Sequence, residues 1–361
     1  MKPTTLPRRS NERDLTPRER SILQAIVQNF ILDATPVGSR NLSKVLQEEL
    51  HLSPASLRNT MADLEEMGYI THTHTSSGRI PTDKGYRYYV DSLMNIEPLP
   101  EQEVQAIHQH ILAACQNEAT LKDVSKILGS LSRHLSIIKM PQIAHATIDK
   151  IELFRLASHR LLVVLTLNSD IVRTLTLEAS FELENPDCED IARALNEKLA
   201  GKSLEFIRTN LQDIVREADI GNHALVRLFV NSADELFSDH ILPGGTVHIA
   251  GAQHLFDHPE FDSPSRVRSI IELIESEEVI IHLLDSSAPK AEGMVRVAIG
   301  SEIDSSLMGE YSLLTTKYRY APANAVGTIG LIGPKRMNYS RLIAIMHYVA
   351  SALSHAEGEA L

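Results

Sequence analysis

The chain has little of what cross-links, spans or anchors a protein. Its 361 residues include two cysteines, no tryptophan and only 5% aromatic side chains. Cys115 and Cys188 lie far apart without a CxxC spacing, which excludes a disulfide framework or a cysteine-rich metal site and suits a reducing cytoplasm. No run approaches the roughly 20 apolar residues that a membrane helix requires, so no membrane partner is expected. The opening "MKPTTLPRRSNERDL" is basic but leads into no apolar core; it reads as a flexible arm rather than a secretory signal. A glycine-rich phosphate loop is missing too. "GTIGLIG" sets Gly327, Gly330 and Gly333 in and just after a strand-like run without the GxGxxG spacing, which favours close strand packing over nucleotide binding.

Positive charge is scarce on average, with 35 Lys/Arg against 47 Asp/Glu and a net charge of −12. That balance argues against a nucleic-acid partner until its distribution is read. Residues 1–94 carry 12 basic and 11 acidic side chains, leaving 23 against 36 for the remainder. Acidity therefore belongs to the later three quarters, while arginines bunch at positions 8, 9, 13, 18 and 20. A chain of this length is expected to form two or more compact domains, with work divided as the charge is.

Three helix signals occupy the early part. Thr16 as N-cap, Pro17 at the first helical position and Glu19 reaching back make a capping box, and Ile22, Leu23, Ile26, Val27, Phe30 and Ile31 recur on one face. Pro36 and Gly38 break the chain; Ser39 then serves as N-cap for a second helix that turns Leu42, Val45, Leu46 and Leu50 inward. Ser53 and Pro54 open a third, with Leu57, Met61, Leu64 and Met67 inward and Gly68 as its stop.

The outward face of the third helix is polarised. Its first turns present Ser53, Ala55, Ser56, Arg58 and Asn59, and its last turns present Asp63, Glu65 and Glu66. Arginine grips guanine and asparagine grips adenine through paired hydrogen bonds, so this polarity suits a helix entering a major groove by its N-terminus. Exposed polar residues on a helix are often only solvated, and the next segment decides between the two. "YITHTHTSSGRIPT" gives a strand at Tyr69–Thr71, a polar stretch turning at Gly78 and a return strand through Ile80 to Pro81. Three helices and a two-stranded ribbon predict a winged helix-turn-helix over 1–94. The hydroxyls of Thr75 and Ser77 are expected to contact phosphates, His72 and His74 to donate to phosphate as neutral imidazoles or simply to stand in water, and Arg79 at the ribbon tip is the candidate for the minor groove. His72 and His74 share a strand face, but no third ligand lies nearby, so recognition is favoured over metal binding. Thr82 and Asp83 start a fourth helix whose Tyr86, Tyr89, Val90 and Leu93 form an apolar stripe, read as packing between domains.

The runs "PVGSRNL", "SPASLRNTMADLEEMGYI" and "HTSSGRIPTDKGYRYYVDSL", with "GLIGPKRMNYSRLIAIM" near the end, closely resemble the HrcA family of bacterial heat-inducible transcription repressors. Where that family often shows "HTSAGR", this chain has Ser77 in place of the alanine, which adds a hydroxyl without disturbing the turn. The resemblance implies a homodimer that binds double-stranded DNA at an inverted repeat before chaperone operons, is inactivated on heating and is kept active by the GroE chaperonin. It also implies an α+β multidomain fold: the winged helix, a GAF-like α/β domain at 101–180 and 276–361, and an inserted dimerisation domain at 181–275.

The residues agree with an insertion. "NIEPLPE" reads as a linker, followed by helices near 101–116 and from Leu121 to Leu135. "ATIDKIELFRL", "RLLVVLTLN" and "DIVRTLTLEA" read as antiparallel strands; a helical stretch follows, "GGTVHIAG" reads as an isolated strand and 263–276 as a helix. Strands are expected again in "EVIIHLL", "GMVRVAIG", "EYSLLTTKY" and "AVGTIGLIG", then a helix from Tyr339. His254, Asp257 and His258 have a spacing a metal could use on a helix, but Pro259 stops that helix. Lys335, Arg336 and Arg341 flank a helix start where an anion could bind, and pairing with acidic neighbours is the favoured reading. No enzyme chemistry, cofactor or metal is expected. The rival reading is a small-molecule-sensing or catalytic α/β domain whose winged helix docks protein.

Overall fold

Thr16 caps the first helix as the sequence predicts. Its hydroxyl accepts from the Glu19 N–H, and the Glu19 carboxylate accepts from the Thr16 N–H at 2.7 Å. Helix α1 (Pro17–Asp33) runs from this box to Ala34, which caps it in the left-handed region. The computed structural model describes residues 14–46, 53–72, 78–116, 121–141, 143, 146–168, 171–217, 224–238, 247–305, 308–320 and 325–355. Within them α2 (Ser39–Val45), α3 (Pro54–Glu66), strands β1 (Ile70–His72) and β2 (Arg79–Pro81), and α4 (Asp83–Tyr88) follow in order. α4 continues into one π-helical turn over Tyr89–Leu93. Ile22, Leu23, Ile26, Leu42, Leu57 and Leu64 are fully buried between the first three helices.

Two local expectations are corrected. Gly38, not Ser39, is the cap residue of α2, with no side-chain hydrogen bond. Val45, the last residue of α2, is 53% exposed, while Leu42 and Leu46 of the same expected row are buried. Leu50 lies outside the described residues.

The chain divides into two compact units, one of residues 1–139, 247–318 and 328–356 and one centred on 140–246. Besides the early helices and ribbon, the first holds a five-stranded sheet in the order β7-β3-β10-β9-β8. Its strands are β3 (Leu135–Lys139), β7 (Val247–Ala250), β8 (Val295–Ile299), β9 (Tyr311–Tyr320) and β10 (Ala325–Pro334). Helices α5 (Glu101–Gln116), α6 (Leu121–Ser132), α10 (Pro264–Glu275), α11 (Glu277–Ser287) and α12 (Tyr339–His355) belong with it. Both faces of the sheet are covered. Ile137 packs with Ile270, Leu273, Ile280 and Leu284 of α10 and α11, while its neighbour Ser136, pointing the other way, hydrogen-bonds Ser125 O of α6. The run "EVIIHLL", expected as a strand, is α11: Ile280, Leu283 and Leu284 are buried at helical spacing. Leu135, expected to end a helix, begins β3 after Arg133 takes a positive φ. "TVHIAG" is not isolated, since β7 pairs antiparallel with β3 from Ser136↔Ala250 to Lys139↔Val247.

The second unit is an antiparallel meander of β4 (Ile148–Ala157), β5 (Arg160–Leu167) and β6 (Val172–Glu178) with α7 (Asn185–Leu199), α8 (Leu204–Glu217) and α9 (Ala224–Asn231). Ile151, Leu153, Leu161, Val163 and Leu165 meet Ile191, Leu195, Ile207, Leu211 and Phe229 in one core. Asn196 of α7 ties its amide to both backbone groups of Ile151. The expected interruption at 181–275 therefore differs from this unit at both ends. The three strands pair only with one another, so they leave with the helices that cover them, and α10 stays with the five-stranded sheet.

Gly251, in the turn after β7, has φ +82°, and a Cβ there would lie 2.3 Å from His134 O. Gly251→Ala is expected to cost at least about 2 kcal/mol, from left-handed strain and backbone collision together, visible as a lower urea midpoint at unchanged slope.

Candidate nucleic-acid interface

α3 starts as a capped helix: the Ser53 hydroxyl accepts from the Ser56 N–H at 3.2 Å, and Pro54 fills the first position, where no N–H is needed. Ser53, Ala55, Arg58 and Asn59 are exposed along its first turns, while Ser56 is half-buried. The reason lies in α1. Arg18 Nη2 donates to both Ser56 O at 3.0 Å and Ser56 Oγ at 2.8 Å. Nothing in the sequence spacing signals this bond, because its partners are 38 residues apart.

The ribbon is built against the same helices. β1 and β2 pair Ile70↔Pro81, Thr71↔Ile80 and His72↔Arg79. Val37 adds a third rung by exchanging two 2.9 Å backbone hydrogen bonds with Arg79. Gly78 is required by that approach, since a Cβ on it would sit 2.5 Å from the Val37 carbonyl carbon. His74, Thr75 and Ser77 lie outside the described residues.

Arg79 does not project freely from the ribbon. Its guanidinium lies on Glu65 of α3, with Nε donating to Oε2 at 2.8 Å, and His72 Nδ1 donates to Oε1 of the same carboxylate. One glutamate thus gathers the two described candidates of the ribbon onto the last turn of α3. The hydrogen bond from His72 and the charge of Arg79 hold the Glu65 carboxyl below the usual carboxylate range, against the opposing effect of burial.

α4 fastens this group of elements to the five-stranded sheet. Arg87 Nε donates to Glu302 at 2.8 Å, Nη2 to Val297 O at 2.6 Å and Nη1 to Asp91 at 3.1 Å. Asp83 accepts from Lys335 at 2.6 Å and from the Ser301 N–H at 3.0 Å. Arg336 holds Glu260 and also the Ile31 carbonyl in the last turn of α1, each at 2.7 Å. Arg341 pairs with Glu103. The three cations around the start of α12 are all paired with acidic neighbours. Tyr86 packs edge-on against Tyr339 of α12, with ring centroids 6.2 Å apart.

Asp257 is bonded to Arg133 at 2.9 Å, and His258 lies against the Arg133 carbonyl. Among the described residues no cluster of histidine, cysteine and carboxylate side chains could hold a metal ion. No described helix is long and apolar enough to cross a membrane.

The Glu65 cluster gives a pH dependence of known sign. A depressed folded-state pKa contributes stability that is complete above the unfolded value near 4.5 and is lost as pH falls through the folded value. Arg79→Ala is expected to move the Glu65 carboxyl back up toward 4.5 in a carbon-detected NMR titration; an unmoved value means that the pair does not form in solution.

Comparison with known proteins places this geometry. A sequence model described as HrcA protein C terminal domain matches residues 118–343. The heat-inducible transcription repressor HrcA of Chlorobium phaeobacteroides is 36% identical over 352 residues, covering 95% of this chain and 98% of that one. The protein of the same name from Chlorobaculum parvum is 37% identical over 357 residues, again 95% and 98%. A crystal structure of a hypothetical protein, 23% identical, shares the fold at a TM-score of 0.63, over 95% of this chain and 98% of that one. With a family model across most of its length and relatives above 30% identity end to end, the chain belongs to the HrcA family of heat-inducible transcription repressors.

Proposed function

We propose that this chain represses transcription in the cytoplasm as a homodimer, by binding an inverted repeat in double-stranded DNA through an amino-terminal winged helix-turn-helix. The observation that carries this reading is the exposed first half of α3, where Ala55, Arg58 and Asn59 stand free beside a ribbon bearing His72 and Arg79. α3 enters the major groove, Arg58 and Asn59 meet base edges, and Ser53 with the ribbon hydroxyls Thr75 and Ser77 meets phosphates. His72 and Arg79 exchange the Glu65 carboxylate for phosphate on docking. The five-stranded sheet with helices on both faces is the GAF-like domain, and residues 140–246 are the inserted dimerisation domain. Inactivation by heat and support by the GroE chaperonin come with membership of the family.

The pairing surface we assign is the uncovered face of the meander. Phe154, Leu156 and Val172 are 49%, 53% and 61% exposed; Phe154 pairs with Leu162, while Glu152 and Thr174 flank Val164 and Thr166 flanks Val172. The opposite face is a full core. Exposed large apolar side chains on a sheet face mark a contact surface in an oligomer, and the two-fold symmetry of an inverted repeat asks for a second copy of the chain.

Selection of bound duplexes from a random pool tests the whole reading: an inverted repeat is expected, and no enrichment overturns it. On that operator Arg58→Ala is expected to cost about 1–3 kcal/mol and to relax one base position in each half-site. Phe154→Asp with Val172→Asp is expected to yield a folded monomer in sedimentation velocity; a persisting dimer means that the chains pair elsewhere.

A further inference from the structure

We infer that Arg18 is a positioning residue for DNA recognition, setting the rotation of α3 through Ser56. This rests on the repressor reading above but adds a residue outside α3 and the ribbon, and it removes Ser56 from the residues that read bases.

Most of the hydrogen-bonding capacity of Ser56 is committed inside the protein, its hydroxyl hydrogen excepted. Its N–H donates to Ser53 Oγ at 3.2 Å, its carbonyl accepts from Arg18 and from Thr60 Oγ1 at 3.3 Å, and its hydroxyl accepts from Arg18 at 2.8 Å. A side chain so engaged serves as an anchor for α3. Arg18 itself is half-buried, its Nε is sealed from solvent with no hydrogen-bond partner, and among the described residues no carboxylate pairs with it. A charge held this way gains less for stability than an ion pair would, so adhesion of α1 to α3 does not explain it. Leucines and isoleucines already supply that adhesion.

What a planar donor supplies is direction. Two acceptors on one residue, main chain and side chain, fix the angle at which α3 meets α1, which a flexible ammonium would not do. Side-chain tips lie about 5–6 Å from a helix axis, so a rotation of about 10° displaces them by about 1 Å. That displacement exceeds the roughly 0.5 Å spread of good hydrogen-bond lengths, enough to lose a paired contact to a base edge. Arg58 and Asn59, two and three residues beyond Ser56, are the side chains that such a rotation carries.

The test uses the full-length protein with Arg18→Ala, Arg18→Lys, Ser56→Ala and the Arg18→Ala/Ser56→Ala double variant. Affinity is measured for the selected operator and for a scrambled duplex, between about 50 and 200 mM salt. Arg18→Ala is expected to lower the specific-to-nonspecific ratio about tenfold, at the base positions that Arg58→Ala and Asn59→Ala relax, with the salt slope unchanged. Ser56→Ala is expected to follow in the same direction more weakly, because its carbonyl remains, and the double variant to be no worse than Arg18→Ala. Arg18→Lys keeps the charge without the planar amino group that aims both Nη2 bonds and is expected to lose the ratio too; it carries the test should the alanine variant fail to fold.

An unchanged ratio with a lowered melting temperature makes Arg18 a mere brace and overturns the inference. Equal weakening on both duplexes, with the slope reduced by about one, makes it a phosphate contact and overturns it as well. So does a base position altered by Ser56→Ala and left alone by Arg18→Ala. Wild-type protein that binds no duplex defeats the repressor reading instead, and is told apart by coming before any variant.

Discussion

One guanidinium sets where the amino-terminal helices sit on the large sheet. Arg87 reaches Glu302, Asp91 and the Val297 carbonyl at once, with only 15% of its side chain exposed. Ion pairs this far from water recover little net stability, because desolvation consumes most of the attraction. Their geometry is exacting, however, and that is what α4 needs. Tyr86 against Tyr339 and the buried Val90 provide adhesion that would tolerate sliding, and the charged bonds remove the slide. Gly300, with φ +51°, belongs to the same arrangement: a Cβ there would lie 2.3 Å from an Asp83 oxygen and would push away the carboxylate that Lys335 and the Ser301 N–H hold. Arg336, on the Ile31 carbonyl, adds a cation at the C-terminal end of α1, where the helix dipole favours it.

α3 is then held at both ends on this platform. Arg18 fixes its beginning through Ser56, and Glu65 fixes its end through the ribbon. A carboxylate in the last turn of a helix is on the wrong side of the helix dipole, and the Arg79 guanidinium and the hydrogen bond with His72 offset that for Glu65. The same electrostatics explain why phosphate can replace it. A carboxylate shared by two donors offers each one part of a charge, and in the repressor reading proposed above a DNA phosphate would offer them a fresh anion. Ribbon and helix are already linked in the free chain, which in that reading lowers the ordering cost of binding.

Local chemistry was readable from the sequence wherever a signal and its effect lie within a few residues. The Thr16–Glu19 box, Pro17, the Ser53 cap with Pro54, and the stop at Gly68 each act over one helical turn, and all stand where the pattern puts them. The expected antiparallel order of the strands over 148–178 follows from short turns, another local effect. Elements failed where local pattern is degenerate. "EVIIHLL" is β-branched and apolar enough for a strand, and only its burial against the sheet makes it α11. The extent of the second unit was hidden because strand runs look alike whichever sheet they join. In the candidate interface, residue types and exposure were legible for Ser53, Ala55, Arg58 and Asn59. The grip of Arg18 on Ser56 and of Glu65 on Arg79 was not, since no periodicity reports contacts 38 or 14 residues apart.

The division of charge along the chain bears on how such a surface works. Beyond residue 94 acidic side chains exceed basic ones by 13, while the first 94 residues are nearly balanced with their arginines gathered near the start. Screening limits these fields to about 8 Å at physiological ionic strength, so acidity elsewhere in the chain takes little from a phosphate contact made at α3. Within that range it does act on any duplex that meets the wrong face, since like charge at contact is repulsive and unrelieved by a bonded partner. A chain whose acidic excess lies beyond residue 94 leaves its amino-terminal part close to neutral, without a strongly basic surface. In the repressor reading proposed above, nonspecific attraction is then low and discrimination falls to the few side chains that α1 and Glu65 hold in place.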